Sequence, residues 1–115
     1  MPYDFFIEWL YPLPTKHKKM FGVDAFYIED QIVFALCQNE KYQQDHGIWI
    51  ATKKQHHQKL KHQLKSVRPL LSIGIKTWLV LPETHDAFEE DAHTLVSLLK
   101  SRSPLIGNIP KKRKP

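Results

Sequence analysis

The chain has 115 residues, of which 42% are apolar and 25% are charged, and its formal net charge is +5. These values are near globular averages, which excludes a disordered chain, and the length suits one domain with one hydrophobic core. No apolar run approaches the roughly 20 residues of a transmembrane helix, and the N-terminus lacks the pattern of a signal peptide. We therefore expect a cytoplasmic protein that does not contact a membrane.

Charge is distributed unevenly along the sequence. Residues 1–45 hold four lysines against seven acids, whereas residues 46–82 hold seven cations and no acid. Five acids between Glu83 and Asp91 then precede a terminal run of four cations, which are Lys111, Lys112, Arg113 and Lys114. An acid-free basic stretch and a basic arm are typical of surfaces that bind polyanions.

The N-terminal half predicts a short helix followed by strands. Apolar residues recur with the helical period in residues 3–11, and Pro12 ends that helix. The runs DAFYIE and QIVFALCQ predict an antiparallel hairpin that turns at Glu29-Asp30-Gln31, and Gly22 before it is interpreted as permitting a bulge or a close strand approach. After a polar connector, GIWIAT predicts a further strand with Ile48 on one face and Trp49 on the other.

The second half predicts a helix, short strands and a last helix. Residues 53–67 form a helical pattern that Thr52 can cap, and its inward stripe consists of His57, Leu60, Leu64 and Val67. Residues 69–82 are interpreted as two short strands separated near Gly74–Lys76.

The last helix is expected to begin at Asp86, with Glu89 at the spacing of a capping box. It should run to about Ser101, and its apolar stripe consists of Phe88, Ala92, Leu95 and Leu99. This order of elements predicts an α+β fold in which about three helices cover one face of a mostly antiparallel sheet of five to six strands.

The end of the sequence predicts a basic tail. Residues 1–101 are expected to form the single domain, and residues 102–115, with their prolines and cations, a flexible arm. Within that arm, Leu105, Ile106 and Ile109 are apolar enough to hold its first half against the domain.

Residues that could support catalysis or metal binding do not form a convincing pattern. His56 and His57 point about 100° apart on a helix, and Glu90-x-x-His93 is half of a di-iron pattern whose second copy is missing. The acids between Glu83 and Asp91 suit a helix N-terminus, where the dipole favours negative charge. Cys37 lies in an apolar run and is expected to be a buried thiol rather than a nucleophile. We expect no cofactor, metal or catalytic residue.

Electrostatics supply the remaining signal. The predicted helix presents an outward cationic face beside Trp49, and the lysines before the hairpin could lie near it. Basic arms add phosphate contacts in the same way. The alternative is that these lysines only keep a surface helix solvated. The candidate nucleic-acid-binding residues are Lys16, Lys18, Lys19, Lys53, Lys54, Lys59, Lys61, Lys65, Arg68, Lys111, Lys112, Arg113 and Lys114.

The stretch KKMFGVDAFYIEDQIVFAL, with the lead-in LYPLPTK, resembles the N-terminal domain of the TfoX/Sxy family of bacterial competence regulators, and more distantly the MmcQ/YjbR group. The resemblance spans residues 5–101, this chain departs from the pattern at Val23, and we expect no separate C-terminal TfoX domain. The positions that fit the family pattern are Met20, Phe21, Gly22, Phe26, Tyr27, Phe34, Ala35 and Leu36.

This resemblance implies an α+β fold with no known catalytic residue and no cofactor, and DNA binding is proposed for the YjbR group. We interpret the chain as a non-catalytic regulatory module that binds nucleic acid or a regulatory protein through its basic helix and tail. The alternative is a protein-interaction module whose lysines only provide solubility, and an enzyme is the least favoured interpretation. The oligomeric state is not predicted.

Overall fold

A computed structural model describes residues 1–109 of the chain. Its centre is one antiparallel sheet of six strands in the order β1-β2-β3-β4-β6-β5, accompanied by three α-helices. The predicted α+β class and the numbers of strands and helices are confirmed. The strands are β1 (Lys16–Met20), β2 (Val23–Ile28), β3 (Gln31–Cys37), β4 (Gly47–Ile50), β5 (Arg68–Pro69) and β6 (Leu79–Pro82), and the helices are α1 (Asp4–Leu10), α2 (His57–Gln63) and α3 (Phe88–Lys100).

The predicted hairpin is β2–β3, and it turns at Glu29-Asp30 as expected. The bulge does not lie at Gly22, because the register shifts between Phe26 and Tyr27 instead. Gly22 occupies the tight turn between β1 and β2, where its φ of 83° suits glycine. The correction follows from a strand that the sequence pattern did not reveal.

That strand is β1, which lies at the edge of the sheet and pairs with β2 from Lys16 opposite Tyr27 to Met20 opposite Val23. Residues 16–19 are all exposed, so β1 lacks the apolar alternation by which strands are recognised. Lysine-rich edge strands are common, because the charges discourage pairing with another chain. The sequence pattern therefore predicted no strand at Lys16–Met20, and β1 is an addition to the predicted elements.

One face of the sheet is covered by the helices. Phe6 and Leu10 of α1, Leu60 of α2, and Ala92 and Leu95 of α3 are buried on this face. Phe26, Ile28, Phe34, Ile48, Ile50, Leu79 and Leu81 contribute the sheet's side of that core. The prediction that the apolar stripes of the first and last helices face the core is therefore confirmed.

The middle helix is shorter than predicted. A 3-10 turn at Lys54–His56 precedes α2, which ends at Gln63, and Leu64 already has an extended backbone. The chain leaves the helix because Asp91 of α3 accepts hydrogen bonds from the backbone N–H groups of Lys65 and Ser66, at 2.9 and 2.6 Å. Thr52 does not cap the helix; it is buried, and its hydroxyl donates to the carbonyl of Leu105.

The opposite face of the sheet is covered by irregular segments, which the sequence did not predict. Trp49, Val80 and Ala35 are buried there beneath residues 70–78 and the 3-10 segment Glu40–Asp45. The first of the two strands predicted in residues 69–82 is reduced to β5, only two residues long, whereas β6 is confirmed. Residues 70–78 instead follow a loop, because the carboxylate of Asp45 holds its first turn by hydrogen bonds.

Helix α3 begins two residues later than predicted. Its N-cap is Ala87, whose N–H donates to His85 Nδ1, and Asp86 makes no capping hydrogen bond. The helix ends at Lys100, close to the expected end. Within residues 1–109, no helix has both the length and the apolar character needed to cross a membrane.

The segment after α3 packs on the sheet. Leu105 and Ile106 are buried in the helix-side core, as their apolar character predicts. Asn108 pairs with Ile32 through two backbone hydrogen bonds of 2.9 and 3.0 Å, and Gly107 donates to the carbonyl of Ala51. The packed structure thus continues past Ser101, the predicted end of the domain, to at least Asn108. The cationic run at positions 111–114 lies outside the described residues.

Candidate nucleic-acid interface

The cations predicted to bind nucleic acid lie at opposite edges of the sheet. Lys16, Lys18 and Lys19 are on β1 at one edge, and Arg68 is on β5 at the other. Five strand spacings separate the two edges, or about 24 Å at about 4.8 Å for each strand. The structure therefore does not unite the β1 lysines with Arg68 on one surface.

A smaller group of cations lies on one exposed segment. Lys53, Lys54, Lys59 and Lys61 are all exposed, and they lie on and just before α2. Leu60 is buried in the core, and Lys59 and Lys61 flank it on the two sides of the helix, where both are exposed to solvent. We call these four lysines the α2 surface. Its own segment contains no acidic residue, and Glu90 and Asp91 of α3 contact the chain just after it, at Lys65 and Ser66.

Three other predicted cations are neutralised by neighbouring acids. Lys19 Nζ lies 3.1 Å from Asp24 Oδ1, Lys65 Nζ lies 2.7 Å from Glu90 Oε2, and Arg68 Nη1 lies 3.0 Å from Asp45 Oδ1. The hydrogen bond to Glu90 and, to a smaller extent, the negative charge of Glu90 raise the pKa of Lys65. These three residues contribute less to binding an external anion than the sequence indicates.

Two of these acids are structural in a way that sequence reasoning missed. Asp45 is fully buried and accepts hydrogen bonds from Arg68 and from the backbone N–H groups of Leu71 and Ser72. Asp91, interpreted from sequence as favouring the helix dipole, is buried and binds residues 65 and 66. Only their positions among buried neighbours distinguish them from surface acids.

Trp49 does not lie beside the basic surface as a stacking partner. It is completely buried, and its indole N–H donates to the carbonyl of Asp45 at 2.8 Å. Residues 52–64 contain no Phe, Tyr or Trp, and their only rings are those of His56, His57 and His62. The α2 surface can therefore attract phosphates but offers no large aromatic platform for bases.

The described part of the C-terminal segment contacts the start of the α2 surface. The side-chain N–H of Asn108 donates to the carbonyl of Thr52 at 2.7 Å, and the hydroxyl of Thr52 donates to the carbonyl of Leu105 at 2.6 Å. Thr52 directly precedes Lys53 in the sequence, and Lys111 follows Asn108 by three residues. Two of the three predicted groups of cations are thus connected to the same corner of the fold.

Most of the net charge belongs to the terminal run. Four of the seventeen cations stand at positions 111–114, so residues 1–109 carry thirteen cations against twelve acids. The folded body is nearly neutral overall. Its positive potential is therefore local, and it depends on where lysines gather without acids.

Residues with catalytic potential are used structurally. Cys37 is buried, and burial raises the pKa of its thiol. The ring of His93 stacks on Trp9 at a centroid distance of 3.7 Å, and Glu90 pairs with Lys65. Tyr3 donates to Glu83 at 2.5 Å, and its pKa is raised by burial and by that carboxylate. Across residues 1–109, no group of three His, Cys, Asp or Glu side chains is placed to hold a metal ion.

Comparison with known proteins adds no relative: no family model, no curated protein and no solved structure matches the chain.

Proposed function

We propose that the chain is a non-catalytic module that binds nucleic acid through the α2 surface and the terminal run Lys111–Lys114. The observation that carries the proposal is the contact at Thr52. There, Leu105 and Asn108, which precede the terminal run, form hydrogen bonds with the residue just before the exposed lysines of the α2 surface. Together the two groups supply eight cations. Cations that share one region neutralise neighbouring phosphates more effectively than scattered ones.

The mode of recognition that we propose is contact with the phosphate backbone. Lysine ammonium groups provide charge without fixed geometry, and the α2 surface offers no Phe, Tyr or Trp for stacking on bases. Gln55, Gln58 and His62 are hydrogen-bonding side chains on the same exposed segment and could contact sugar or phosphate oxygens. Binding should therefore show little sequence preference and a steep dependence on salt.

Salt dependence of duplex binding tests this proposal. Fluorescence anisotropy of a labelled 25-base-pair DNA would be measured between 50 and 200 mM salt for the full chain. Each phosphate neutralised changes the slope of log K against log salt by about 0.9, so replacing Lys54, Lys59 and Lys61 by Ala should reduce the slope by up to about 2.7. Alanine at positions 111–114 should weaken binding similarly for all sequences.

A matched control separates the α2 surface from total charge. Replacing Lys41, Lys76 and Lys100 by Ala removes the same charge from exposed positions elsewhere. We expect this control to reduce the slope by less than about 1. Equal losses for the two triple variants, or no binding at 50 mM salt, would contradict the proposal. That outcome would favour the alternative in which the lysines provide solubility and another surface recruits a protein.

The resemblance to the TfoX N-terminal domain stays a prediction, and so does a regulatory role. Both are consistent with a small α+β module that acts by binding, and the same experiment bears on them, since a regulator of this kind needs a partner.

A further inference from the structure

A groove lies on the sheet face opposite the helices, and its lining includes none of the predicted binding residues. Its volume is about 310 Å³. One wall belongs to the β1–β2 hairpin and the facing wall to residues 75–78, while residues 108–109 close one end. The lining residues are Met20, Phe21, Tyr27, Ile32, Ile75, Trp78, Asn108 and Ile109. Asn108 is the one member that is neither aliphatic nor aromatic.

Most of the lining belongs to the apolar cluster on this face of the sheet, including Tyr27, Ile32 and Trp78. Pockets of about 300 Å³ are at the small end of those that bind small molecules, which are mostly apolar and contain few polar groups.

The rim of the groove presents unusually exposed apolar side chains. Phe21 is 60% exposed and Ile109 is 58% exposed. Phe21 has a φ of 54°, a conformation that residues other than glycine rarely adopt. Its turn is held by the Tyr42 hydroxyl, which donates to the Phe21 carbonyl at 2.7 Å, and by Asn39, which donates to the Gly22 carbonyl at 3.1 Å. Phe21 is thus fixed at the rim, an arrangement more common at binding sites than elsewhere.

Positive charge borders the groove on its β1 side. Lys18 Nζ lies 5.6 Å from the centroid of the Tyr27 ring, and Lys16 is directly opposite Tyr27 in the strand pairing. Both lysines alternate onto the groove face of β1, together with Met20. The lining contains no acid. The chemistry that complements this site is an apolar body that carries a negative group at one end.

We propose that the groove binds a free medium-chain aliphatic carboxylate, with its chain along the apolar lining and its carboxylate at Lys18 and Lys16. This site is separate from the proposed nucleic-acid surface, because α2 packs on the other face of the sheet. The sequence after Ile109, with four cations in six residues, is poorly suited to fill an apolar groove itself. The lysines of the edge strand also disfavour a second copy pairing there.

A chain-length series tests the proposal. Hexanoate, octanoate and decanoate, each below its micelle concentration, would be titrated into the full chain by calorimetry, with the alcohols of equal length as matched ligands. Each added methylene should tighten binding about fourfold until the groove is filled. Each carboxylate should bind more tightly than its alcohol, and this difference should shrink with added salt.

Variants connect the binding to the groove. Phe21→Ser should weaken octanoate at least fivefold, whereas Leu71→Ser, which changes a residue that is 63% exposed but lies outside the groove, should leave the affinity unchanged. Lys18→Gln should remove the preference for carboxylate over alcohol, and Lys61→Gln on the α2 surface should not. Thermal denaturation of each variant would establish that it folds.

Three results would overturn the proposal: affinity independent of chain length, equal affinity for octanoate and octanol, or equal effects of the two serine variants. Binding of an extended peptide in place of the carboxylates would overturn it as well. Failure here is distinguishable from failure of the nucleic-acid proposal, because Phe21→Ser should leave the salt slope for DNA unchanged.

Discussion

Asp45 offers the sharpest test of how the fold is held, because one buried carboxylate organises the loop over the second sheet face. Its oxygens accept from Arg68 Nη1 at 3.0 Å and from the N–H groups of Leu71 and Ser72 at 2.9 and 2.6 Å. We expect Asp45→Ala to leave two backbone donors and a guanidinium without this partner. The loop it anchors continues into Ile75 and Trp78 of the groove.

The expected cost follows from these contacts. A hydrogen bond to a charged acceptor contributes about 1.5 kcal/mol at the lower end of its range, and the lower end applies because the loop lies near water. Two backbone bonds then give about 3 kcal/mol. Arg68, whose side chain is partly exposed, adds about 1 kcal/mol. Asp45→Ala should therefore reduce the free energy of unfolding by about 4 kcal/mol.

Urea denaturation monitored by circular dichroism measures this quantity. With a slope of roughly 1.5 kcal/mol/M, the midpoint should fall by about 2.5 M. Asp86→Ala, which removes an exposed carboxylate, should change stability by less than about 0.5 kcal/mol. Arg68→Ala should cost less than Asp45→Ala, because the N–H groups of Leu71 and Ser72 still bind the carboxylate. The reasoning is refuted if Asp45→Ala costs under about 1 kcal/mol, or if Arg68→Ala alone costs as much as Asp45→Ala.

Three further outcomes are expected. Gly22→Ala should lower the free energy of unfolding in urea by more than about 1 kcal/mol, because the φ of Gly22 is 83° and an added Cβ would lie 2.6 Å from Asn39 Nδ2. Gly74 has open space around it, so Gly74→Ala should be neutral or slightly stabilising. Equal effects of the two substitutions would contradict this reasoning. Burial raises the pKa of Asp24, but the hydrogen bonds from His17 and Lys19 have the larger combined effect and lower this pKa below its usual value. The carboxylate of Asp24 therefore contributes its full stabilisation above about pH 4, and this stabilisation is lost as the pH falls through the folded pKa. In an acid titration, the free energy of unfolding of Asp24→Asn should fall less steeply than that of the unsubstituted protein. Equal slopes for the two proteins would count against this prediction. Because burial raises the thiol pKa, Cys37 should react slowly with a disulfide reagent at pH 8 and rapidly in urea, and fast native reaction would show that it is accessible.

The sequence allowed the fold class and most elements to be predicted because their patterns are periodic. The stripe of α3, the hairpin at Glu29-Asp30 and the strand β4 all depend on local alternation of apolar residues, which a single sequence displays. The early end of α2 could not be predicted, since it depends on Asp91, about 26 residues away in the sequence. β1 was missed because its stability comes from pairing with β2 and not from its own composition.

The candidate site was predicted only in part. Local charge density identified the α2 surface, but it could not show that Lys65 and Arg68 face acids from distant segments. The groove had no sequence signal at all, because its lining comes from five separated segments of the chain. The motif MFGVDAFYIEDQIVFAL, on which the family resemblance depends, also contributes Met20, Phe21, Tyr27 and Ile32 to the groove.

The pairing of Asn108 with Ile32 has a consequence for the order of folding. The two residues are 76 positions apart in the sequence, and the hydrogen bond between Thr52 and Leu105 joins residues that are 53 positions apart. Contacts of such large sequence separation form late, since the entropy of closing the loop is lost before they contribute. We expect the hairpins to form first and this junction last. The step that completes the sheet would then also set the end wall of the groove and the starting point of the basic terminal run.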